Sequence, residues 1–177
     1  MLAMLNIAAL VLWSYLPASA DDYEESTLTR VGQAAPSFVL VTTEGDTLDS
    51  AGLRGRVVLI NFFATWCPPC LQEIPLLEKK VWERFREMGL VLVAVGREHA
   101  DEEMKAFTKK KGFTLPMAAD PQRKVYGQFA TGFIPRNYLI DRQGRIAYQS
   151  IGFEEEEFAA MVRAVEKNLS SGEIGEE

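Results

Sequence analysis

The chain contains only two cysteines, Cys67 and Cys70, and they lie three residues apart at the end of an apolar run. Paired thiols can exchange with another disulfide, bind a soft metal ion or form a permanent crosslink. Residues at positions i and i+3 of a helical turn have Cα atoms close to the ~5.5 Å that a disulfide requires. We therefore expect this pair to open and close with little backbone movement.

The two residues between the cysteines are Pro68 and Pro69. A helix N-terminus lowers the pKa of a thiol because its free N–H groups and its dipole favour the thiolate. Proline fits the first helical turn but has no N–H to donate. We therefore expect the pKa of Cys67 to fall only moderately, which would make the pair a weaker oxidant than pairs whose intervening residues supply hydrogen-bond donors.

The elements on either side of the cysteines can be predicted from the apolar pattern. Residues 57–64 are almost continuously apolar and rich in β-branched and aromatic side chains, which predicts a strand buried on both faces. From Leu71 to Met88, apolar residues recur at three- and four-residue steps, which predicts a long amphipathic helix. Pro75 lies inside that helix and is expected to kink it.

The rest of the chain alternates between strand and helix patterns. We predict a β-hairpin at 37–48, strands at 90–96 and 115–120, helices at 101–111 and 121–129, two strands within 136–152, and a last helix from the acidic residues 154–157. This order indicates an α/β fold with a central mixed sheet flanked by helices.

Composition limits the partners of the chain. Its 177 residues suit one domain, and 19 Lys and Arg against 25 Asp and Glu give a net charge of −6. No basic region is large enough to neutralise a run of phosphates, so we expect no nucleic-acid partner.

The first twenty residues carry no charge, and residues 5–16 form an apolar stretch of the length found in export signals. Ala18, Ser19 and Ala20 fit the small-x-small rule for cleavage before Asp21. Residues 1–20 are therefore predicted to be a signal peptide, or else a short membrane anchor through residues 2–16. We expect a flexible segment at 21–30, the domain at 31–170 and a disordered tail at 171–177.

Two stretches of sequence, NFFATWCPPCLQEIP (residues 61–75) and TGFIPRNYLIDRQGRI (residues 131–146), carry a family resemblance. With their surroundings at 31–168, they resemble the TlpA/ResA-like exported thiol–disulfide oxidoreductases of the thioredoxin superfamily. The resemblance implies a thioredoxin-like fold with an N-terminal β-hairpin and an inserted strand–helix segment around 98–120. It also implies a periplasmic or other extracytoplasmic location.

The resemblance implies a role for each cysteine. Cys67, at the exposed tip of the helix, would attack a client disulfide, and Cys70, screened by the turn, would resolve the mixed disulfide. The partners would be protein thiols or disulfides, with a membrane thiol–disulfide transporter as electron donor and apocytochromes c among the clients. We expect a reductant that is monomeric and needs neither a cofactor nor a metal ion.

Glu73 is the carboxylate most relevant to the cysteines. It follows Cys70 by three residues and therefore lies on the same helical face. In the family, a glutamate here tunes the thiol pKa values and relays a proton. Asn61 stands where ordinary thioredoxins have a buried aspartate, and an amide cannot titrate, which leaves Glu73 as the local acid or base. The alternative reading of Glu73 is a solvated helix residue.

Pro135 occupies the place of the family's cis-proline. A cis bond would turn the backbone of Ile134 towards the cysteines, where it could pair with a client strand. Arg136 departs from the small hydroxyl residue common after this proline. It is expected either to alter the choice of client or to point to solvent.

An apolar rim around the cysteines is also predicted. Trp66, Phe133 and the prolines, Pro68 among them, would contact a protein client. By contrast, Phe62 and Phe63 are expected to lie in the core.

Three alternatives to disulfide exchange remain. A thiol peroxidase would share the wider fold and has a threonine, here Thr65, ahead of its cysteine, but the expected preceding proline is absent. A copper- or zinc-binding module could use both thiolates, although His99 is the only histidine and is predicted to be a loop or helix-start residue. A structural crosslink between such close neighbours would remove little unfolded-chain entropy.

Overall fold

The computed structural model of the protein describes residues 19–171, and its elements follow the predicted order. The helices are α1 (Ala20–Glu25), α2 (Pro68–Leu76), α3 (Glu83–Phe85), α4 (Asp101–Lys111), α5 (Tyr126–Phe129) and α6 (Glu155–Ser170). The strands are β1 (Val39–Val41), β2 (Thr47–Asp49), β3 (Val58–Phe63), β4 (Val91–Arg97), β5 (Met117–Asp120), β6 (Arg136–Ile140) and β7 (Ile146–Ile151). The largest difference from the predicted bounds is in the helix predicted at 121–129, of which only the last four residues, α5, are helical.

Five strands form the central sheet in the order β5-β4-β3-β6-β7. β3, β4 and β5 run parallel to one another, whereas β6 is antiparallel to β3 and β7 is antiparallel to β6. The predicted mixed sheet is therefore confirmed. β1 and β2 form the predicted hairpin, which meets the sheet edge through a bridge between Thr42 and Ala118.

Every residue of β3 is buried, as the continuous apolar pattern predicts. Because side chains alternate along a strand, β3 contributes to two cores. Leu59 and Phe63 pack in a core with the cysteines, α2 and α6, while Ile60 and Phe62 pack in a second core with the hairpin and α5. The sheet therefore fixes the end of β3, from which the chain enters the cysteine pair.

The helix that follows the cysteines changes type after Pro75. α2 ends at Leu76 and continues as a π-helical segment, Leu77–Trp82, before α3 and a 3-10 turn, Arg86–Met88. Proline cannot donate the backbone hydrogen bond of an α-helical turn. Where we expected a kink, the structure thus shows a wider helical segment just beyond the proline.

Residues 21–30, the predicted flexible segment, contain most of α1 and contact the domain. Ser19 caps α1, Thr27 forms a bridge with Ala130, and the Thr29 hydroxyl donates to the Gln149 side chain at 2.9 Å. The last two contacts attach the segment to the domain, and they leave no local pattern because their partners are distant in sequence.

The predicted export signal or anchor lies, apart from Ser19 and Ala20, outside the described residues, as does the predicted tail beyond Ser171. Within residues 19–171, no helix combines the length and apolar character needed to cross a membrane.

Candidate active site

Cys67 and Cys70 form a disulfide at the junction of β3 and α2, with their Cα atoms 5.3 Å apart. Cys67 is the extended N-cap residue of α2, and the prolines occupy the first helical positions. The backbone N–H of Cys70 points to the Cys67 sulfur at 3.4 Å. The predicted geometry is confirmed, since a regular first turn brings the sulfurs together.

Two backbone groups of unlike polarity lie near the Cys67 sulfur. Besides the Cys70 N–H, the carbonyl oxygen of Ile134 lies 3.8 Å from Sγ. The Ile134–Pro135 peptide is cis, as the family resemblance implies. A carbonyl oxygen disfavours negative charge beside it, so the two backbone groups oppose each other at the thiolate of the reduced protein.

Both cysteines are mostly covered, and the rim beside them is exposed. Cys67 is 4% exposed and Cys70 is fully buried, whereas Trp66 is 61% exposed. Pro68 and Phe133 are also exposed. The residues predicted to contact a client therefore surround a sulfur that is nearly hidden.

A further contact, which no local pattern predicts, brings α1 to this rim. The ring of Tyr23 contacts that of Phe133 edge-on, with centroids 4.8 Å apart. Tyr23 and Phe133 are each 37% exposed. The apolar rim therefore extends from the loop before Pro135 onto α1.

Glu73 is buried, 1% exposed, within a network of two asparagines. The Asn61 amide donates to Glu73 Oε2 at 2.8 Å, and the Asn137 amide donates to Oε1 at 2.7 Å. The alternative of a solvated helix residue is therefore wrong. Asn61 and Asn137 are direct partners in the β3–β6 register, which brings both amides to the same carboxylate.

Sequence reasoning missed Asn137. Its signal is an amide inside an otherwise buried strand, the same signal that Asn61 gives in β3. Two such amides on paired strands indicate a buried polar group between them, because buried polar atoms require partners.

Burial raises the pKa of Glu73 to about 7, although the hydrogen bonds from Asn137 and Asn61 act in the opposite direction. A carboxyl that titrates near neutral pH can both accept and return a proton under working conditions. Glu73 lies one helical turn after Cys70. The site thus places a carboxyl with a pKa of about 7 one helical turn after its second cysteine.

Folding stability should depend on the charge of Glu73. Its pKa rises from 4.5 to about 7 on folding, so between these values the folded state holds more protons than the unfolded state. The free energy of unfolding should therefore fall as pH rises, by about 3 kcal/mol from this group. Urea titrations of the wild type and Glu73→Gln at pH 4.5, 6 and 8 measure the effect as a difference. A difference independent of pH would contradict it.

The prediction that Arg136 points to solvent is wrong. Arg136 is fully buried, and its Nε donates to the carbonyl oxygen of Gly132 at 2.9 Å. Its two terminal nitrogens donate to Thr27 Oγ1 at 2.9 Å and Ser26 Oγ at 2.6 Å. The guanidinium points inward and joins the segment after α1 to the loop before Pro135, and its effect on the choice of client stays a prediction.

His99 lies between β4 and α4, next to the start of α4 as predicted, but its side chain is buried, 6% exposed. Its Nε2 accepts the backbone N–H of Thr65 at 3.0 Å. Within residues 19–171, no three His, Cys, Asp or Glu side chains are grouped as metal ligands.

Comparison with known proteins places this geometry among thiol–disulfide oxidoreductases. The chain matches the AhpC/TSA family over residues 31–149. It is 32% identical over 128 residues to the thiol-disulfide oxidoreductase ResA of Bacillus thuringiensis (strain Al Hakam), covering 72% of this chain and 73% of that protein. It is likewise 32% identical over 127 residues to ResA of Geobacillus thermodenitrificans, covering 72% of each chain.

Solved structures show the same likeness. A putative protein disulfide isomerase from Bacteroides thetaiotaomicron has a TM-score of 0.78 and 34% identity, over 84% of this chain and 95% of that one. A putative thiol:disulfide interchange protein DsbE from Chlorobium tepidum has a TM-score of 0.68 and 26% identity, over 79% and 98% respectively.

Proposed function

Because this chain belongs to the AhpC/TSA family and is a ResA-like thiol–disulfide oxidoreductase of the thioredoxin superfamily, we propose that it reduces disulfides of protein clients outside the cytoplasm. The observation that carries this proposal is the disulfide at the start of α2, beside the backbone of Ile134.

The direction of exchange follows from the weak support for a Cys67 thiolate. A dithiol pair is a strong oxidant when its reduced, thiolate form is well stabilised. Here the two prolines supply no N–H, so the Cys70 N–H at 3.4 Å has no help from its neighbours in the turn, and the Ile134 carbonyl oxygen opposes negative charge. The reduced pair is therefore poorly stabilised and gives up its electrons readily.

In the proposed reaction, the Cys67 thiolate attacks one sulfur of a client disulfide. A new bond forms between Cys67 and that sulfur, and the other client sulfur leaves as a thiolate. Glu73 accepts the proton of Cys70, whose thiolate then attacks the Cys67 sulfur and releases the first client sulfur. Two electrons pass to the client, and the pair becomes a disulfide that an external dithiol, such as a membrane thiol–disulfide transporter, must reduce.

The extracytoplasmic location rests on the sequence of residues 1–20, which has the apolar length and the small residues of an export signal. A reductant is needed where clients are exposed to oxidation, since disulfides persist outside the cytoplasm. The family resemblance adds apocytochromes c, whose cysteines must be reduced before haem attachment, as a client class.

Trapping the mixed disulfide tests this function. Cys70→Ser removes the resolving thiol, so client proteins should accumulate on Cys67 in the extracytoplasmic fraction and be released by dithiothreitol. Mass spectrometry then identifies them, including any apocytochrome c. Equilibration of the wild type with glutathione measures its reduction potential. We expect a value closer to that of thioredoxin, about −270 mV, than to that of a strong oxidant such as DsbA, about −120 mV.

Cys67→Ser is the matched control, because it retains one thiol of the pair but should trap nothing. An absence of protein adducts on Cys70→Ser in that fraction would count against the proposed clients. Peroxide consumption that survives in Cys70→Ser would instead favour the thiol peroxidase alternative.

A further inference from the structure

The His99 side chain contacts the segment between β3 and the cysteine pair. Its Nε2 accepts the Thr65 backbone N–H at 3.0 Å and lies 3.4 Å from Thr65 Oγ1. Thr65 stands two residues before Cys67 and follows β3 closely. The imidazole therefore joins the end of β4 to the segment that carries the nucleophile.

The hydrogen bond defines the protonation state of the ring. Since the Thr65 N–H is a donor, Nε2 carries no proton, and the neutral ring holds its proton on Nδ1. Nδ1 lies 3.5 Å from Glu103 Oε2. The ring also packs on the backbone of Gly96, where an added Cβ would lie only 3.2 Å from its Cδ2. It has little room to turn.

We propose that His99 is a positioning residue of the redox site, which holds Thr65 and the following Cys67 in place only while its imidazole is neutral. The proposal rests on the proposed function, because it concerns the attack by Cys67. It adds a control of that attack by the charge of a residue outside the cysteine motif.

Protonation would replace the acceptor at Nε2 with a donor. Two N–H groups, one from the ring and one from Thr65, would then face each other at 3.0 Å. The Thr65 N–H would lose its acceptor. The protonated ring could then donate to Thr65 Oγ1, but only if the segment that carries Thr65 moved.

Few other charges face the ring. Glu103 on α4 is the carboxylate at Nδ1, and the backbone N–H of Ala100 lowers the pKa of Glu103, so it is an anion near neutral pH. Glu98, next to His99, pairs with Arg97 and Arg123. On the active-site segment the ring meets Thr65, which does not titrate near neutral pH, and Cys67 is the nearest titratable residue along it.

The test measures the rate of Cys67 attack per thiolate between pH 5 and 9. A small aromatic disulfide is the probe, and absorbance at 240 nm gives the thiolate fraction at each pH. Glu73→Gln serves as the background, since it removes the titration of that carboxyl. We expect the rate per thiolate to rise about two- to tenfold through one titration, the factor that one net hydrogen bond represents.

Two substitutions of His99 separate its function as a hydrogen-bond acceptor from its change of charge. His99→Gln places an amide near the position of Nε2 that accepts a hydrogen bond but does not titrate, so the high-pH rate should hold at every pH. His99→Leu offers no acceptor, so the low-pH rate should hold at every pH. A pH step that persists in His99→Gln would overturn the proposal.

Glu103→Gln provides a test that changes no buried side chain, so it does not depend on whether the protein folds with a substitution at His99. The Glu103 side chain is 60% exposed, and glutamine can still accept the Ala100 N–H. Loss of the carboxylate destabilises the imidazolium, so the step should move to lower pH. An unmoved step would refute the assignment to His99. A wild type that performs no exchange at any pH would count against the proposed function instead.

Discussion

Glu73→Gln is expected to slow release of the client from the mixed disulfide about a hundredfold at pH 8, the lower range for loss of a general base. Above pH 7 Glu73 is a carboxylate that can take the proton of Cys70, and below pH 7 it is protonated and cannot. Release should therefore accelerate as pH rises through about 7 in the wild type. In the variant it should follow only the titration of the thiol. Single-turnover decay of a purified mixed disulfide measures both effects.

Glu78 provides a matched control for this experiment. It is a second buried glutamate of the same continuous helical stretch, 5% exposed, but it accepts the backbone N–H groups of Thr114 and Leu115. Glu78→Gln should therefore leave the pH dependence of release unchanged, whatever it does to stability. Equal rates and pH profiles for Glu73→Gln and the wild type would rule out the acid–base role.

The network around Glu73 suits its charged form. Both amides donate to the carboxylate, and the Asn61 amide also donates to Asn137 Oδ1 at 2.8 Å. The neutral form must donate its proton instead, and turning the Asn61 amide over to accept that proton would bring its oxygen against Asn137 Oδ1. The two amides therefore act against the rise in the pKa of Glu73 that burial causes.

The sequence was sufficient for the parts of the site that follow from local pattern. The buried run before Cys67 predicts β3, and the three-residue spacings predict the disulfide and the common face of Cys70 and Glu73. Each of these inferences uses residues within one element or one turn. The cis bond before Pro135 came from the family resemblance and not from local chemistry.

Arg136 and His99 show where pattern is insufficient. The partners of Arg136 are neutral oxygens of residues 26, 27, 132, 133 and 138, so no opposite charge marks them in the sequence. His99 itself lies in a polar segment that indicates a loop, but its ring accepts the backbone N–H of a residue 34 positions away. In both cases the side chain satisfies backbone or hydroxyl groups that become neighbours only after the sheet has formed.

Arg136→Leu is expected to lower the free energy of unfolding by about 1–3 kcal/mol, the range for leaving a buried acceptor without its donor. It would leave the carbonyl oxygens of Gly132 and Phe133 without their shared donor. Since these residues precede the Ile134 backbone, the KM for a protein client should rise, while kcat/KM for a small disulfide should change little. Urea titration and paired kinetics measure the two effects.

Arg142→Leu is the matched control, because Arg142 also donates to two carbonyl oxygens, those of Gly55 and Leu169, but lies beyond the opposite end of β6. Arg142→Leu can lower stability without touching the loop before Pro135, so its ratio of client to small-disulfide activity should stay at the wild-type value.

Arg136→Lys keeps the charge but loses the planar fork, so its client KM should lie between those of the wild type and Arg136→Leu. A client KM that moves equally in Arg136→Leu and Arg142→Leu would mean that Arg136 acts through stability alone. A selective change would mean that a buried cation, attached to α1 by Ser26 and Thr27, sets the position of the backbone that meets the client.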